Sequence, residues 1–255
     1  MKSIKMIVTD LDGTLLRSDK TISEPTIAVL EQCRRSGIKL VYATGRSGES
    51  ASIVAPSDLF HGRVSQNGAV IATGNQIIRK YFIPYETARP LLMACDKNGL
   101  KTASQAGAMH YSNFLVSDEW PVITNFMIVD FSKHEINSEK IYAIIRKPED
   151  ALFIESVLPN DLYLSVSSDG LGMIMHKDAT KAKAAACLAG IWDISQSEVL
   201  AFGDDFNDLD MLQYAGIGVA MGNAADAVKA AADYICLTND DDGLAEWIIS
   251  NINKP

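Results

Sequence analysis

The chain has 255 residues, enough for one large domain or two modest ones. With 47% hydrophobic and 22% charged residues it has the composition of an ordinary soluble globular protein. A formal net charge of -9 and an isoelectric point near 4.9 argue against nucleic acid or an anionic membrane as the main partner, and no apolar stretch reaches the roughly 18–20 residues of a membrane helix.

Residues 4–9 form an apolar run, the pattern of a strand buried in a sheet, and it ends at Asp10. Asp12 follows two residues later, before Gly13. In extended chain, alternate residues point the same way, so both carboxylates are expected to aim at one point. They also interrupt anything like a signal-peptide core. Ser23 and Pro25 predict a helix start, and Gly37 its end. Residues 39–43 read as a second strand with Thr44-Gly45-Arg46 at its end, followed by a helix over about 47–55. Residues 63–66 read as a third strand, ending at Asn67-Gly68. Residues 69–72 and 77–82 read as a hairpin around Thr73-Gly74-Asn75.

The texture changes near Pro84. A helix over 85–97, mixed strands and turns over 101–131, strands over 140–146, 162–167 and 173–176, and a helix over 148–157 suggest an α+β insert. The βα texture then returns. A helix over 180–189 closes at Gly190, and a buried strand over 199–202 leads into Gly203-Asp204-Asp205-Phe206-Asn207-Asp208. Beyond it come a helix, a strand over 217–220, an alanine-rich helix over 224–232, a strand over 234–237 and a C-terminal helix. The expected organisation is a doubly wound parallel α/β core from 1–83 and 178–255, split by an inserted domain at 84–177. Cys33, Cys95, Cys187 and Cys236 show no C-x-x-C spacing, which favours free thiols in a reducing cytoplasm over zinc or disulfides. The turn at 239–243 reads as a helix start, since acids favour that position.

Four polar clusters fall at predicted strand or helix ends: Asp10 with Asp12, Thr44-Gly45-Arg46, Lys181, and Asp204 with Asp208. Paired carboxylates at the C-terminal end of a central strand are costly unless a cation joins them, and ligands bind at that strand end in open α/β sheets. Hydrolysis of a phosphate ester needs such a set. Asp10, the backbone carbonyl of Asp12, and Asp204 suit Mg²⁺, with Asp208 or Asn207 completing or orienting the shell. Lys181 suits a point charge bridging nucleophile and phosphate, and Thr44 a neutral donor. Asp10 is the expected nucleophile, and Asp12 the acid and then base. Taken singly, each cluster also has an ordinary reading: Asp-x-Asp-Gly as a turn, Thr44 as a helix cap, Lys181 as a solvated lysine, Asp204-Asp205 as a strand exit. Asn67-Gly68 stays open between turn and substrate contact. His61, His110, His134 and His176 show no metal spacing.

Together the clusters resemble the haloacid dehalogenase superfamily, and within it the Cof-type phosphatases. Asp10-Leu11-Asp12-Gly13-Thr14 resembles the first family motif, Thr44 in Ala43-Thr44-Gly45-Arg46 the second, Lys181 the third, and Gly203 to Asp208 the fourth, which holds Mg²⁺. Ala182 follows Lys181 where that motif usually has glycine. Gln66-Asn67-Gly68-Ala69 and Val219 to Ala224 also look like that subgroup. The resemblance implies a phosphatase rather than a dehalogenase, because dehalogenase relatives lack the second aspartate. Only 33 residues separate Asp10 from Thr44, but 136 separate Thr44 from Lys181. The insert therefore follows the second motif, where the family places a cap of the C2 type, here with C2B texture. The expected reaction is hydrolysis of a small phosphate monoester, a sugar phosphate or related phosphorylated metabolite, and the alternative readings are a phosphomutase and a non-catalytic phosphometabolite-binding protein. The expected state is a monomer or small homo-oligomer.

Overall fold

A computed structural model of the chain describes residues 4–56 and 58–252. The chain divides into two compact units, Met1–Arg79 with Thr180–Pro255, and Lys80–Ala179. These limits lie a few residues from the 83/84 and 177/178 boundaries expected above.

The first unit opens with β1 (Met6–Thr9), whose four residues are all buried. Then come α1 (Glu24–Arg35), β2 (Lys39–Ala43), α2 (Gly48–Val54), β3 (Gly62–Ser65), β4 (Val70–Thr73) and β5 (Gln76–Lys80). Helix α1 starts as its sequence dictates: Ser23 accepts the backbone N–H of Thr26 at 3.1 Å, and Pro25 sits in the first turn. Helix α2 is capped by Ser47 rather than Thr44, so the threonine side chain is left to the strand end.

The second unit contains α3 (Tyr85–Lys97), β6 (Thr102–Ala106), β7 (Met109–Ser112), β8 (Phe126–Ile128), β9 (Lys140–Ile144), α4 (Pro148–Val157), β10 (Leu162–Val166) and β11 (Leu171–His176). Its six strands run in the order β10-β11-β9-β6-β7-β8. Alternation sorts β9 between the two faces. Ile141 and Ala143 join Leu91, Leu92 and Ile154 of the helices in one apolar cluster, while Tyr142 and Ile144 pack with Phe114 and Val116 on the other side.

The chain returns to the first unit with α5 (Lys181–Ile191), β12 (Val199–Gly203), α6 (Leu209–Tyr214), β13 (Ile217–Ala220), α7 (Asp226–Ala231), β14 (Tyr234–Ile235) and α8 (Gly243–Asn251). Helix α5 runs through Gly190 instead of ending there, and its last turn is closed at Trp192. Asp242 precedes α8 in a left-handed conformation (φ 54°) and caps nothing; its carboxylate instead takes Arg17, Ser23 and Thr26. The strand order is β14-β13-β12-β1-β2-β3-β4-β5. Strands from β14 to β3 are parallel, and β4 reverses against β3. The chain thus winds outward from β1 in one direction, returns, and winds outward from β12 in the other. The winding reverses between β1 and β12, where this architecture opens a crevice at the strand ends.

Gly68 shows how tightly the crevice is built. Its φ is +105°, and a Cβ there would lie 2.4 Å from the carbonyl oxygen of Thr180. Gly74, at φ +51°, has nothing within 4 Å of the same point. Urea denaturation should therefore show Gly68→Ala losing at least about 3 kcal/mol, and Gly74→Ala only about 1 kcal/mol from backbone strain.

Candidate active site

Asp10 leaves the C-terminal end of β1, and its backbone N–H bonds Phe202 of β12 at 3.1 Å. Lys181 is the first residue of α5, whose N-cap Thr180 accepts from the N–H of Lys183. The Lys181 ammonium reaches Asp10 Oδ1 and Asp208 Oδ1, each at 2.6 Å, and both its side chain and that of Asp208 are fully buried. The second oxygen of Asp208 accepts the backbone N–H groups of Asp204 and Asp205, at 3.0 and 3.1 Å. Both Asp208 oxygens are therefore already held by the protein. Gly203 makes this loop possible, since a Cβ there would lie 2.5 Å from the Cβ of Asp208.

Asp204 is aimed by Thr14, whose hydroxyl donates to its Oδ1 at 2.7 Å. Gly13, with φ +78°, leaves room for that carboxylate: a Cβ there would meet Asp204 Oδ2 at 2.3 Å. One oxygen each from Asp10, Asp204 and Asp208 lie within 4.8 Å of one another.

Three carboxylates share this space with one ammonium, and the protonation equilibria follow. Burial raises Asp10 well above the ordinary aspartate range; Lys181 opposes the rise, while Asp208 and Asp204 add to it. Burial and then the Asp208 charge push Asp204 up to about 7, against the hydrogen bond from Thr14. Burial disfavours the Lys181 charge, but the two aspartates outweigh it and hold the group above the usual lysine value. The site is short of positive charge. Its donors are all oxygen, and Asp10 and Asp204 carry the excess, so the residues fit a hard divalent cation such as Mg²⁺.

Asp12 lies outside this trio. Strand β1 ends at Thr9, and a turn follows in which Leu16 bonds back to Leu11, so the alternation expected to align Asp10 with Asp12 does not extend that far. The Asp12 carboxylate instead takes Arg46 side-on, Nε to Oδ2 at 2.5 Å and Nη2 to Oδ1 at 2.7 Å, with Lys20 Nζ on Oδ1 at 2.9 Å. Burial works against its charge, but Arg46 and Lys20 outweigh burial and hold Asp12 below the ordinary value.

The Thr44-Gly45-Arg46 loop is stitched to the turn after β3. Asn67 N–H bonds the Thr44 carbonyl at 2.9 Å and Gln66 N–H the Arg46 carbonyl at 2.8 Å. Gln66 and Asn67 are both left-handed, at φ 48° and 53°. Thr44 is buried, and its Oγ1 accepts the N–H of Arg46 at 3.2 Å. Asn207 donates from Nδ2 to Asn67 Oδ1 at 3.0 Å, which joins the fourth cluster to this turn. Sequence reasoning thus singled out every member of the central trio and Lys181. It assigned no role to Thr14 or Lys20, and left Asn67 undecided. The Asn-Gly pair signalled the left-handed turn, but nothing local signalled which side chains it would reach.

The histidines sit elsewhere, each with a local partner. His61 Nδ1 accepts the N–H of Leu40, His110 pairs with Tyr142, His134 with Ser104, and His176 Nδ1 accepts the N–H of Asp178. The four cysteines are free thiols.

Residues 7–248 match the model of the haloacid dehalogenase-like hydrolases. A putative phosphatase of Haemophilus influenzae is 31% identical over 94% of this chain and 95% of its own. The 5-amino-6-(5-phospho-D-ribitylamino)uracil phosphatase YitU of Bacillus subtilis is 29% identical over 95% and 96%. Among solved structures, the subclass IIB sugar phosphatase BT4131 superposes with a TM-score of 0.84 at 28% identity, covering 96% of this chain and 98% of that one. The chain belongs to the haloacid dehalogenase-like hydrolases, as a phosphatase of the Cof type.

Proposed function

We propose that this chain hydrolyses small phosphate monoesters, sugar phosphates or related phosphorylated metabolites, through an aspartyl-phosphate on Asp10. The observation that carries the reading is the buried Lys181 ammonium, 2.6 Å from both Asp10 and Asp208. A substrate dianion approaching Asp10 meets like charge, and a fixed ammonium at the nucleophile offsets it. Asp10, Asp204 and the backbone carbonyl of Asp12 would hold Mg²⁺, with Asp208 orienting the loop that presents Asp204. Bound there, the metal supplies positive charge that polarises the phosphoryl group.

Arg46 and Lys20 hold Asp12 ionised in the resting site, so it takes up a proton as Arg46 passes to the incoming phosphate dianion. Asp10 then attacks phosphorus, and the ester oxygen departs with that proton. Asp12 then takes a proton from the water that opens the aspartyl-phosphate, which returns Asp10 and releases phosphate. Thr44 has its oxygen engaged by Arg46 N–H, which leaves its hydroxyl hydrogen free to donate to a phosphoryl oxygen. Arg46 and the Asn207–Asn67 pair would frame the same group. The unit Lys80–Ala179 would act as a cap of the C2B type that selects the leaving group. The relatives support a polyol or sugar as that group, since one acts on a ribitylamino phosphate and another is a sugar phosphatase. The acidic surface and free thiols fit a reducing cytoplasm, and no helix among the described residues is long and apolar enough to cross a membrane.

Phosphate release from p-nitrophenyl phosphate in the presence of Mg²⁺ tests the reading and separates it from mutase chemistry and from binding alone. Asp10→Asn should lose at least about 10³-fold in kcat/KM with an unchanged circular dichroism spectrum. Lys181→Met should lose about 10²-fold or more; a loss under about tenfold would remove Lys181 from the phosphate.

The raised carboxylates give a signed pH dependence. Protons compete for Asp204 up to its value of about 7, so Mg²⁺ should stabilise the fold more at pH 8 than at pH 5. Differential scanning fluorimetry with Mg²⁺ against EDTA should show this, and Asp204→Asn should remove most of the gain.

A further inference from the structure

Lys20 stands on a turn whose shape it does not favour. Its φ is +67°, a left-handed conformation that a lysine rarely adopts. The turn is tied down on all sides. Lys20 N–H bonds the Arg17 carbonyl and Arg17 N–H the Thr21 carbonyl, each at 2.9 Å. Thr21 bonds Asp19 through both N–H and hydroxyl. Arg17 reaches both oxygens of Asp242 at 2.9 Å, and Ser18 takes both oxygens of Asp240 through its N–H and hydroxyl. This bracing delivers one exposed ammonium to Asp12 Oδ1 at 2.9 Å.

Asp12 therefore has two cations where one would neutralise it, and their grips differ. Arg46 spans both oxygens, whereas Lys20 touches only Oδ1. If Arg46 transfers to a phosphate dianion, Oδ1 keeps a partner and Oδ2 loses its own. We propose that Lys20 is a positioning residue: it holds Asp12 through Oδ1 while Arg46 passes to the substrate phosphate, so that Oδ2 is the oxygen exposed to the leaving group. The proposal rests on the reading of Asp12 as the proton donor to that group. It explains why a strained, braced turn ends in a lysine. A lone Asp12–Arg46 pair would force a choice between holding the substrate and orienting the acid.

The test uses two aryl esters that differ in leaving group, p-nitrophenyl phosphate and phenyl phosphate. Only the poorer leaving group, phenol, depends strongly on a proton from the enzyme, and kcat/KM reports the step in which it departs. Lys20→Met should lower kcat/KM for phenyl phosphate about tenfold more than for p-nitrophenyl phosphate, and Lys20→Arg should recover most of the difference. Lys20→Gly, which relieves the backbone, should raise the melting temperature yet show the same ester dependence as Lys20→Met. Equal losses on both esters, or no loss, would overturn the role of Lys20. Asp12→Asn is the control: a loss without ester dependence there would overturn the reading of Asp12 itself, whatever Lys20 does.

Discussion

One buried ammonium is the keystone of this molecule. Lys181 lies between Asp10 and Asp208 with no exposed side-chain surface, and a third carboxylate, Asp204, stands within 4.8 Å of the other two. Stripping water from charged groups costs several kcal/mol per ion, and only close geometry with further hydrogen bonds offsets it. The surrounding backbone meets that demand with glycine at three crossings: Gly68 against Thr180, Gly203 against Asp208, and Gly13 against Asp204. At each crossing a side chain as small as alanine's would collide with the very group the site must hold in place.

Charge is arranged in two tiers around that keystone. The inner tier is acidic and starved of cations, and it is contributed by β1, α5 and the loop after β12. The outer tier, Asp12 with Arg46 and Lys20, is the reverse, with two cations on one carboxylate. The outer tier is also the more exposed of the two: the Lys20 side chain is 54% exposed and that of Lys181 is fully buried. The chain as a whole carries a formal charge of -9, so its average says little about the field at this spot.

Much of this is legible in the sequence. Parallel strands announced themselves as apolar runs, and the polar residues at their ends marked the crevice because the strands all point the same way. Helices with explicit punctuation, such as α1 with Ser23 and Pro25 or α4 from Pro148, were equally plain. Gly190 misled because a helix tolerates glycine when tertiary packing supports its last turn. Asp12 misled more instructively. Its spacing from Asp10 suggested a shared direction, but the period of two holds only while the chain stays extended, and β1 stops at Thr9. The partners of Asp12 come from residues 20 and 46, and only the folded turn shows that Lys20 reaches it. The stretch 101–131 was opaque for another reason: β6, β7 and β8 are short, and the tight turn after β6 and the loop with a 3₁₀ turn at Val116–Asp118 before β8 leave no sustained periodicity.

The placement of β1 between β2 and β12 has a consequence for synthesis. Met6 pairs with Lys39 on one side and with Val199 on the other. At translation speeds of 5–20 residues per second, the second partner emerges roughly 10–40 s after β1 itself. Throughout that interval a strand destined for complete burial, with three apolar residues in its four, offers a bare edge to any neighbour, which makes the nascent chain a natural client for chaperones until its final third arrives.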